Sequence, residues 1–318
     1  MKIGLDILDV NDEKVLIQKQ MGLTHVVSSF RINDLSGDIN AIVAAKAKSF
    51  NDIGLQFSVY ESMGGIEDLK IGKAGADRQM DFAKRMVEAC GRNGIRVICY
   101  NWMPVVGWVR TNFALPSRGG STVTGFDIAD MDPDERTAFG EISESDLWKS
   151  LEAFLREIIP VCEKWNVKMS LHPDDPPIPT PLKGIARIIT SLKNYQRVFD
   201  LYDSAYNTMT FCQANISAMG EDIPAAIKLF GNKGKISFVH FRDIIGDMNR
   251  FVETWHEEGQ TDMFRAMKAY CDIGFDGVAR PDHVPTMVGE PNDRPMYAVR
   301  ANLFAVGYMK GLLEALNN

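Results

Sequence analysis

The sequence predicts an α/β protein built as a (β/α)8 barrel, and three observations lead to that fold. One unit recurs along the chain: an amphipathic helix, a glycine or asparagine, and then a short β-branched segment that ends in polar residues. The 318 residues are 45% hydrophobic and 24% charged without a second composition regime, so residues 1–318 are expected to form one domain. No G-x-G-x-x-G sequence follows the first strand and no P-loop occurs in the sequence, which disfavours a doubly wound nucleotide-binding sheet.

The first four units follow this pattern closely. Asn11 or Asp12 can cap the first helix, which Gly22 ends, and Asp38 can cap the second helix. An Asn-Gly pair ends the helix of the third unit in the same way. The first four strands are predicted at residues 2–8, 24–30, 56–61 and 96–102.

Residues 103–143 interrupt the repeat. The segment contains Pro104, Pro116 and Pro133 and has no sustained periodicity, so it is predicted to be a long loop after the fourth strand. A loop of this length in a compact domain is usually functional, such as a lid, although a disordered segment or a tolerated surface insertion gives the same pattern. We expect an active-site loop, because barrel active sites lie at the carboxyl ends of the strands.

The second half of the chain restores the repeat. Ser143 or Ser145 can cap a helix that runs to about residue 165, and Pro181 is expected to start the helix after strand five. Two segments compete for strand six, and we favour residues 208–213 because residues 196–202 continue a helical spacing of apolar residues. The last four strands are therefore predicted at residues 168–172, 208–213, 235–241 and 275–280, and a closing helix at residues 295–316.

Charge and composition limit the possible partners. The net charge of −7 and the lack of a Lys/Arg-rich run argue against nucleic acid or an anionic membrane as partner. No apolar run approaches the roughly 20 residues that span a bilayer, and the chain starts directly in a strand pattern, so a cytoplasmic protein with a small-molecule partner is expected. Five widely spaced cysteines disfavour a disulfide framework. Four of them lie in apolar patterns and are expected to pack as small hydrophobic side chains: Cys90, Cys99, Cys162 and Cys271.

Four successive strands of the predicted barrel end in a residue type that binds metal ions. Strand five ends at His172, strand six at Cys212, strand seven at His240 and strand eight at Asp282. Because the carboxyl ends of the strands converge in a barrel, these side chains are expected to meet at one site. Imidazole, thiolate and carboxylate together suit Zn²⁺, Fe²⁺ or Mn²⁺. The acidic residues that follow His172 are expected to accept a hydrogen bond from its ring.

The other histidines have different expected roles. His25 opens strand two, at the end of the barrel away from the chemistry, and is expected to be structural. His256 lies in the long connection after strand seven, on the active face, where it can contact a substrate. His283 follows Asp282 directly and can act as an acid or base or bind the substrate.

Several segments, taken in order, resemble the signature segments of the D-mannonate dehydratase family. They are Tyr60-Glu61-Ser62, Ile98-Cys99-Tyr100-Asn101-Trp102-Met103-Pro104, Trp108-Val109-Arg110-Thr111, His172-Pro173-Asp174-Asp175-Pro176-Pro177, Phe211-Cys212, His240-Phe241-Arg242, Arg280-Pro281-Asp282-His283 and Tyr308-Met309-Lys310-Gly311-Leu312. The resemblance runs nearly end to end, and the HPDDPP and RPDH segments are its most specific parts.

The resemblance implies both a fold and a chemistry. It implies a (β/α)8 barrel of the xylose-isomerase-like type that dehydrates D-mannonate to 2-keto-3-deoxy-D-gluconate in hexuronate catabolism, with Mn²⁺ or Fe²⁺. It places the metal ligands at His172, Cys212, His240 and Asp282, and the catalytic histidine and tyrosine at His283 and Tyr297.

The sequence departs from the family pattern at three short places, and the segment from Phe113 to Phe126 is also unusual. Gln213-Ala214-Asn215 stands where the family usually has Thr-Gly-Ser, Met296 stands for a glycine before Tyr297, and Gly107 stands for an aspartate. We expect these changes to surround the substrate and to leave the metal ligands unaffected.

The reaction implied by the resemblance is the elimination of water from a 2,3-dihydroxy acid. Arg110 and Arg280 can pair with the substrate carboxylate, because a guanidinium group binds it in a bidentate manner. For Arg280, a salt bridge that orients Asp174 or Asp175 is the alternative. Asn101, near the end of predicted strand four, is a further candidate for substrate binding.

Two other functions stay open from the sequence. A metal-dependent sugar isomerase or epimerase on the same barrel would keep the mass of the substrate, whereas a dehydratase loses water. A non-catalytic protein that binds a sugar acid or stores metal would need no acid–base pair, so the presence of both His283 and Tyr297 weighs against it. A homodimer is the expected form of any oligomer.

Overall fold

The structure is a computed structural model that describes residues 1–29, 32 and 34–317. Twelve strands lie in these residues: β1 (Lys2–Asp6), β2 (His25–Ser28), β3 (Gln56–Tyr60), β4 (Val97–Tyr100), β5 (Asn112–Pro116), β6 (Thr122–Asp127), β7 (Lys168–Leu171), β8 (Asn207–Cys212), β9 (Ile236–Phe241), β10 (Ile244–Gly246), β11 (Arg250–Glu253) and β12 (Val278–Pro281). The α-helices in the same residues are α1 (Lys14–Gln20), α2 (Ile39–Asp52), α3 (Glu67–Lys70), α4 (Ala76–Arg92), α5 (Glu144–Trp165), α6 (Leu192–Leu201), α7 (Gln213–Ala218), α8 (Ile223–Gly231), α9 (Met263–Asp272) and α10 (Arg300–Asn317).

Eight of the described strands close into a parallel barrel, which confirms the predicted fold class. Around the barrel the order is β1, β2, β3, β4, β7, β8, β9 and β12, and β12 pairs again with β1. Strand six is β8, as predicted, while the end of predicted strand two, Phe30, lies outside the described residues. Gly4 allows β2 to approach β1 closely, because a Cβ atom there would lie 2.6 Å from the carbonyl oxygen of His25.

The helices pack against the outside of the barrel through apolar faces. Helix α5 begins as predicted: the Ser143 hydroxyl accepts a hydrogen bond from the N–H of Asp146. Its buried face includes Phe154, whose ring centroid lies 5.6 Å from that of Tyr100 and 5.0 Å from that of Trp102. Such contacts fix β4 against α5, so the barrel forms a rigid base for the residues at its carboxyl ends. None of the helices in the described part of the chain is long and apolar enough to cross a membrane.

A second, antiparallel sheet of four strands lies beyond the carboxyl ends of β4 and β9, with the order β10, β11, β6, β5. We call it the lid sheet. It corrects the prediction that residues 103–143 are a loop without regular structure, because β5 and β6 belong to this segment. The reason is that β6 pairs with β11, more than a hundred residues further along the chain. A local pattern cannot reveal so distant a partner.

Some element boundaries also differ from the predictions. The helix after strand five begins at Leu192, where Ser191 caps it, and not near Pro181. In the preceding segment the Asp174 carboxylate accepts hydrogen bonds from the backbone N–H groups of Ile188 and Ile189, which compete with helix formation there. The short helix α7, directly after Cys212, was not predicted. The closing helix begins at Arg300 and not at residue 295.

Some of the predicted helix caps and buried cysteines are found in the structure and others are not. Helix α1 begins at Lys14 without a side-chain cap, and Asp12 instead accepts a hydrogen bond from the N–H of Lys14. Asp38 caps α2 as predicted. The thiols predicted to pack in the interior do so at Cys90, Cys99 and Cys162, but Cys271 is exposed.

Candidate metal centre

The carboxyl ends of β7, β8, β9 and β12 bring the four predicted ligands to one place. Cys212 and His240 are register partners in the β8–β9 pairing, so parallel strand geometry alone makes them neighbours. Ligand atoms of His172, Cys212 and His240 all lie within 4.8 Å of one another. Asp282 joins this group, because its Oδ2 is 3.4 Å from His240 Nδ1. The four side chains are therefore grouped as the sequence predicts.

The two imidazoles present one nitrogen each to the centre of this group. His172 Nδ1 donates to the carbonyl oxygen of Pro173 at 2.7 Å, which leaves His172 Nε2 facing His240 Nδ1 at 3.2 Å. The partner of the His172 ring is thus a backbone carbonyl and not one of the acidic residues expected. On the far side, His240 Nε2 lies 2.8 Å from Glu61 Oε1. A cation can be bound by two ring nitrogens that face each other in this way.

The charge balance around these residues also favours a cation. Four buried carboxylates, Glu61, Asp175, Glu253 and Asp282, stand against three buried guanidinium groups, Arg110, Arg242 and Arg280. One negative charge is left over, and a Cys212 thiolate would make it two. A divalent cation would neutralise this excess in an interior where an unbalanced charge is costly. The residues present therefore fit a divalent metal ion.

Arg280 is held by two acidic side chains at the edge of the group. Its guanidinium contacts both carboxylate oxygens of Glu61 at 2.9 Å and Asp282 Oδ1 at 2.7 Å. Arg280 therefore forms salt bridges, as the alternative prediction states, but with Glu61 and Asp282 and not with the expected Asp174 or Asp175. Burial alone would raise the pKa of Glu61, but Arg280 and His240 hold that pKa at about 2. Glu61 remains ionised and faces His240.

Arg110 corrects a prediction. It was expected to bind the substrate carboxylate, but its side chain is fully buried and already paired. Its guanidinium forms two hydrogen bonds to the Asp175 carboxylate, at 2.6 and 3.1 Å, and contacts Glu253 Oε1 at 2.5 Å. Arg242 joins the same two acids and also contacts Asp282 Oδ2 at 2.8 Å. The two arginines therefore connect the barrel to the lid sheet.

His283 and Tyr297 lie side by side next to the ligand group. Their ring centroids are 5.8 Å apart, with the planes at 78°. His283 has a left-handed backbone (φ 47°), as does Met296 (φ 74°), and the N–H of Val284 donates to the Met296 carbonyl at 2.8 Å. These two turns bring the rings together although the residues are separated in sequence. Burial, followed by the charge of Asp282, raises the pKa of the Tyr297 hydroxyl.

Of the two remaining predicted residues, one lines the cavity at the mouth of the barrel and the other does not. Asn101 lines it, and its Oδ1 accepts hydrogen bonds from Lys70 Nζ and the N–H of Met103, both at 3.1 Å. His256 does not line it: the ring is buried, stacks on Phe241 and contacts the Phe241 carbonyl at 2.7 Å. His256 is therefore not placed where the other predicted residues can meet a substrate. The lining includes Glu61, Ser62, Trp108, His172, His240, Arg280, Asp282, His283 and Tyr297.

The departures from the family pattern lie closer to the metal ligands than expected. Asn215 Oδ1 is 3.1 Å from Cys212 Sγ and 2.5 Å from Arg242 Nη2, and Asn215 Nδ2 donates to the Asp174 carbonyl at 2.7 Å. This side chain therefore contacts a predicted ligand directly. The expectation that the changes surround only the substrate is wrong at this position.

Stability should fall in acid because of the buried carboxylates. Burial would raise the pKa of Glu253, but Arg242, His283 and Arg110 hold it at about 2, below the ordinary 4.5. A group whose pKa is lowered on folding stabilises the fold above its unfolded pKa and loses that contribution as the pH falls through the folded value. We expect the melting temperature of the wild type to drop between about pH 4.5 and 2, and E253Q to drop less steeply. Circular dichroism across this range tests the expectation, and parallel curves for the two proteins would contradict it.

The fold and the site together define a class of protein, the (β/α)8 barrels whose strand ends can hold a divalent cation, here beside a histidine and a tyrosine. A model of the D-mannonate dehydratase (UxuA) family matches residues 11–139 and 133–318. The mannonate dehydratase of Thermotoga maritima is 35% identical over 300 residues, which cover 83% of this chain and 82% of that protein. The crystal structure of mannonate dehydratase from Streptococcus suis serotype 2 matches with a TM-score of 0.92 at 31% identity, over 99% of this chain and 93% of that one.

The chain belongs to the D-mannonate dehydratase family, whose members are hydro-lyases. This confirms the resemblance found in its sequence segments. A D-tagatose 3-epimerase-like protein matches with a TM-score of 0.64 at 13% identity, over 100% of this chain and 98% of that one, and shares the fold alone. The epimerase alternative therefore has support only at the level of the barrel.

Proposed function

We propose that this chain removes water from D-mannonate to give 2-keto-3-deoxy-D-gluconate, as a step of hexuronate catabolism. The observation that carries the proposal is that His172 and His240, which group with Cys212, line the same cavity as His283 and Tyr297. Membership of the family supports the substrate, and the cavity supports the chemistry. The reaction removes the C2 proton and the C3 hydroxyl, and the resulting enol tautomerises to the 2-keto-3-deoxy acid.

His172, Cys212, His240 and Asp282 would hold one divalent ion, for which we propose Mn²⁺ or Fe²⁺. Such an ion would supply a positive charge that stabilises the negative charge developing on the substrate carboxylate during proton removal. Neighbouring groups orient the two imidazole rings toward the position of the ion. His172 keeps its proton on Nδ1 through the Pro173 carbonyl, and Glu61 contacts His240 Nε2, so each ring directs its other nitrogen inwards.

His283 and Tyr297 are proposed as the acid–base pair. Elimination needs one group to take the C2 proton and another to donate a proton to the C3 hydroxyl as it leaves. The two rings lie in edge-to-face contact on one side of the ligand group, where they can reach adjacent carbon atoms of a bound aldonic acid. General acid–base catalysis of this kind contributes about 10²- to 10⁴-fold to a rate.

Arg280 and Asn101 are proposed to contact the substrate from the cavity wall. Arg280 keeps its guanidinium in place through Glu61 and Asp282, so it presents a fixed positive charge to the substrate carboxylate. Asn101 is fixed by Lys70 and by the backbone of Met103 in the same way. Fixed partners lower the entropic cost of binding the flexible sugar acid.

A panel of aldonic acids tests the proposed function. Protein loaded with Mn²⁺, Fe²⁺ or Zn²⁺ is incubated with each acid, and the product is followed by mass spectrometry and by a colour assay for 2-keto-3-deoxy acids. We expect D-mannonate to lose the mass of one water with the Mn²⁺ or Fe²⁺ protein. A product of unchanged mass would support an isomerase or epimerase, and a substrate-dependent rise in melting temperature without any product would support a binding protein.

A further inference from the structure

Glu253 is a buried carboxylate that the reaction scheme above does not use. It ends strand β11 of the lid sheet, and it is 3% exposed. Its Oε1 lies 2.8 Å from His283 Nδ1, thirty residues further along the chain. The lid sheet therefore delivers an acidic side chain to the back of the proposed catalytic histidine.

Two arginines hold this carboxylate in place. Glu253 Oε1 accepts hydrogen bonds from Arg110 Nη2 at 2.5 Å and from Arg242 Nη1 at 3.0 Å. Both arginines also bind Asp175, at the carboxyl end of β7, so the position of Glu253 is tied to the barrel. Glu253 is ionised under ordinary conditions, since the two guanidinium groups outweigh the effect of burial on its pKa. A fixed anion is a stronger acceptor than a neutral group.

The contact decides how the His283 ring is presented. His283 Nδ1 lies 2.8 Å from the Glu253 carboxylate and 3.5 Å from Arg110 Nη2. The shorter contact, to an acceptor, favours a proton on Nδ1, which leaves Nε2 as the nitrogen free to exchange a proton in the neutral ring. His283 Nε2 lies on the other side of the ring, 3.7 Å from Asp282 Oδ1, and so faces the ligand group and the cavity. The ring is thus both oriented and restricted to one tautomer, as carboxylates orient catalytic histidines elsewhere.

We propose that Glu253 is the positioning residue for His283: it fixes the proton on Nδ1, presents Nε2 to the substrate, and makes the acid–base pair depend on a seated lid sheet. This inference rests on the proposed dehydration and names a residue that its chemistry needs. The lid sheet then has a chemical role, because Glu253 at the end of β11 orients the histidine that follows β12.

Kinetics of E253Q give the first test. The amide keeps the size of the side chain but removes the charge, so we expect kcat for D-mannonate to fall about 100-fold or more while KM changes less than about threefold. E253D keeps the charge and should recover part of the lost kcat. R250A is the matched control: Arg250 lies on the same strand but is solvent-exposed and pairs with Asp127, so its kcat should match the wild type. A kcat for folded E253Q within about threefold of wild type would overturn the proposal.

Nitrogen NMR of histidine-labelled, Zn²⁺-loaded protein gives the second test, independent of turnover. The wild type should show His283 protonated on Nδ1, assigned by comparison with H283N, and E253Q should lose this preference while its metal content stays the same. A wild-type His283 with its proton on Nε2 would overturn the inference even if E253Q does not fold. If the wild type gives no product with any aldonic acid, the proposed function fails, and the tautomer measurement still reports on Glu253.

Discussion

Replacing His240 with alanine is expected to remove both the bound metal ion and the dehydratase turnover. His240 stands at the centre of the ligand group: its Nδ1 faces His172 Nε2 at 3.2 Å and Asp282 at 3.4 Å. Its loss also leaves Glu61 with Arg280 as its remaining ion-pair partner in the centre. We expect affinity for Mn²⁺ to fall by at least about 100-fold, which exceeds the usual cost of losing a residue behind a ligand. Metal analysis after gel filtration and competition with a chelator measure both effects.

His25 provides the matched control for this experiment. It is also a histidine on a barrel strand, but it opens β2 at the opposite end of the barrel, where its Nδ1 contacts the Ser58 hydroxyl at 2.8 Å. H25A should therefore keep its metal and its kcat, even if it melts at a lower temperature. Cys212→Ala should behave as H240A does. Full turnover in a metal-free H240A or C212A protein would contradict the assignment of the centre.

Removing the hydroxyl of Tyr297 should abolish most of the turnover and leave the metal in place. Y297F is expected to lower kcat about 10²- to 10⁴-fold, the range that one general acid or base supplies. Because Tyr297 is not among the ligand residues, the metal content and the melting temperature should match the wild type. Steady-state kinetics and metal analysis on the same preparation separate the two effects.

Y308F is the matched control for Y297F. Tyr308 lies in α10, where its ring stacks on Phe304 with centroids 6.4 Å apart, away from the cavity lining. Its kcat should be unchanged. If Y297F retains more than about a third of the wild-type kcat, or loses its metal, Tyr297 does not have the role assigned to it.

The ligand group could be predicted from the sequence because its members share one simple property. Each ligand lies at the carboxyl end of a short strand, and parallel strands in a barrel bring these ends to one face: His172, Cys212, His240 and Asp282. Strand number and strand direction are therefore enough to bring these residues together. The hydrogen-bond partners of these ligands could not be predicted as well, since the Pro173 carbonyl accepts the hydrogen bond of His172 where an acidic side chain was expected.

The roles of the arginines and of Glu253 could not be predicted from the sequence. A guanidinium group suits a substrate carboxylate and a protein carboxylate equally well, and Arg110 is in fact occupied by Asp175 and Glu253. Glu253 lies on a strand whose partner, β6, is distant in the chain, so its position depends on pairing that no local pattern encodes. The residues Arg250-Phe251-Val252-Glu253 show no alternation of polar and apolar types, because the charged Glu253 is one of the buried positions, so the usual sequence signal of a short strand is missing.

Anomalous diffraction tests the central claim most directly. Crystals of the protein grown with Mn²⁺ would be measured on both sides of the manganese absorption edge. The account predicts one strong anomalous peak per chain, bonded to His172 Nε2, His240 Nδ1, Cys212 Sγ and an oxygen of Asp282. A peak at another site, or no peak between these four residues in protein that is active with Mn²⁺, would contradict it.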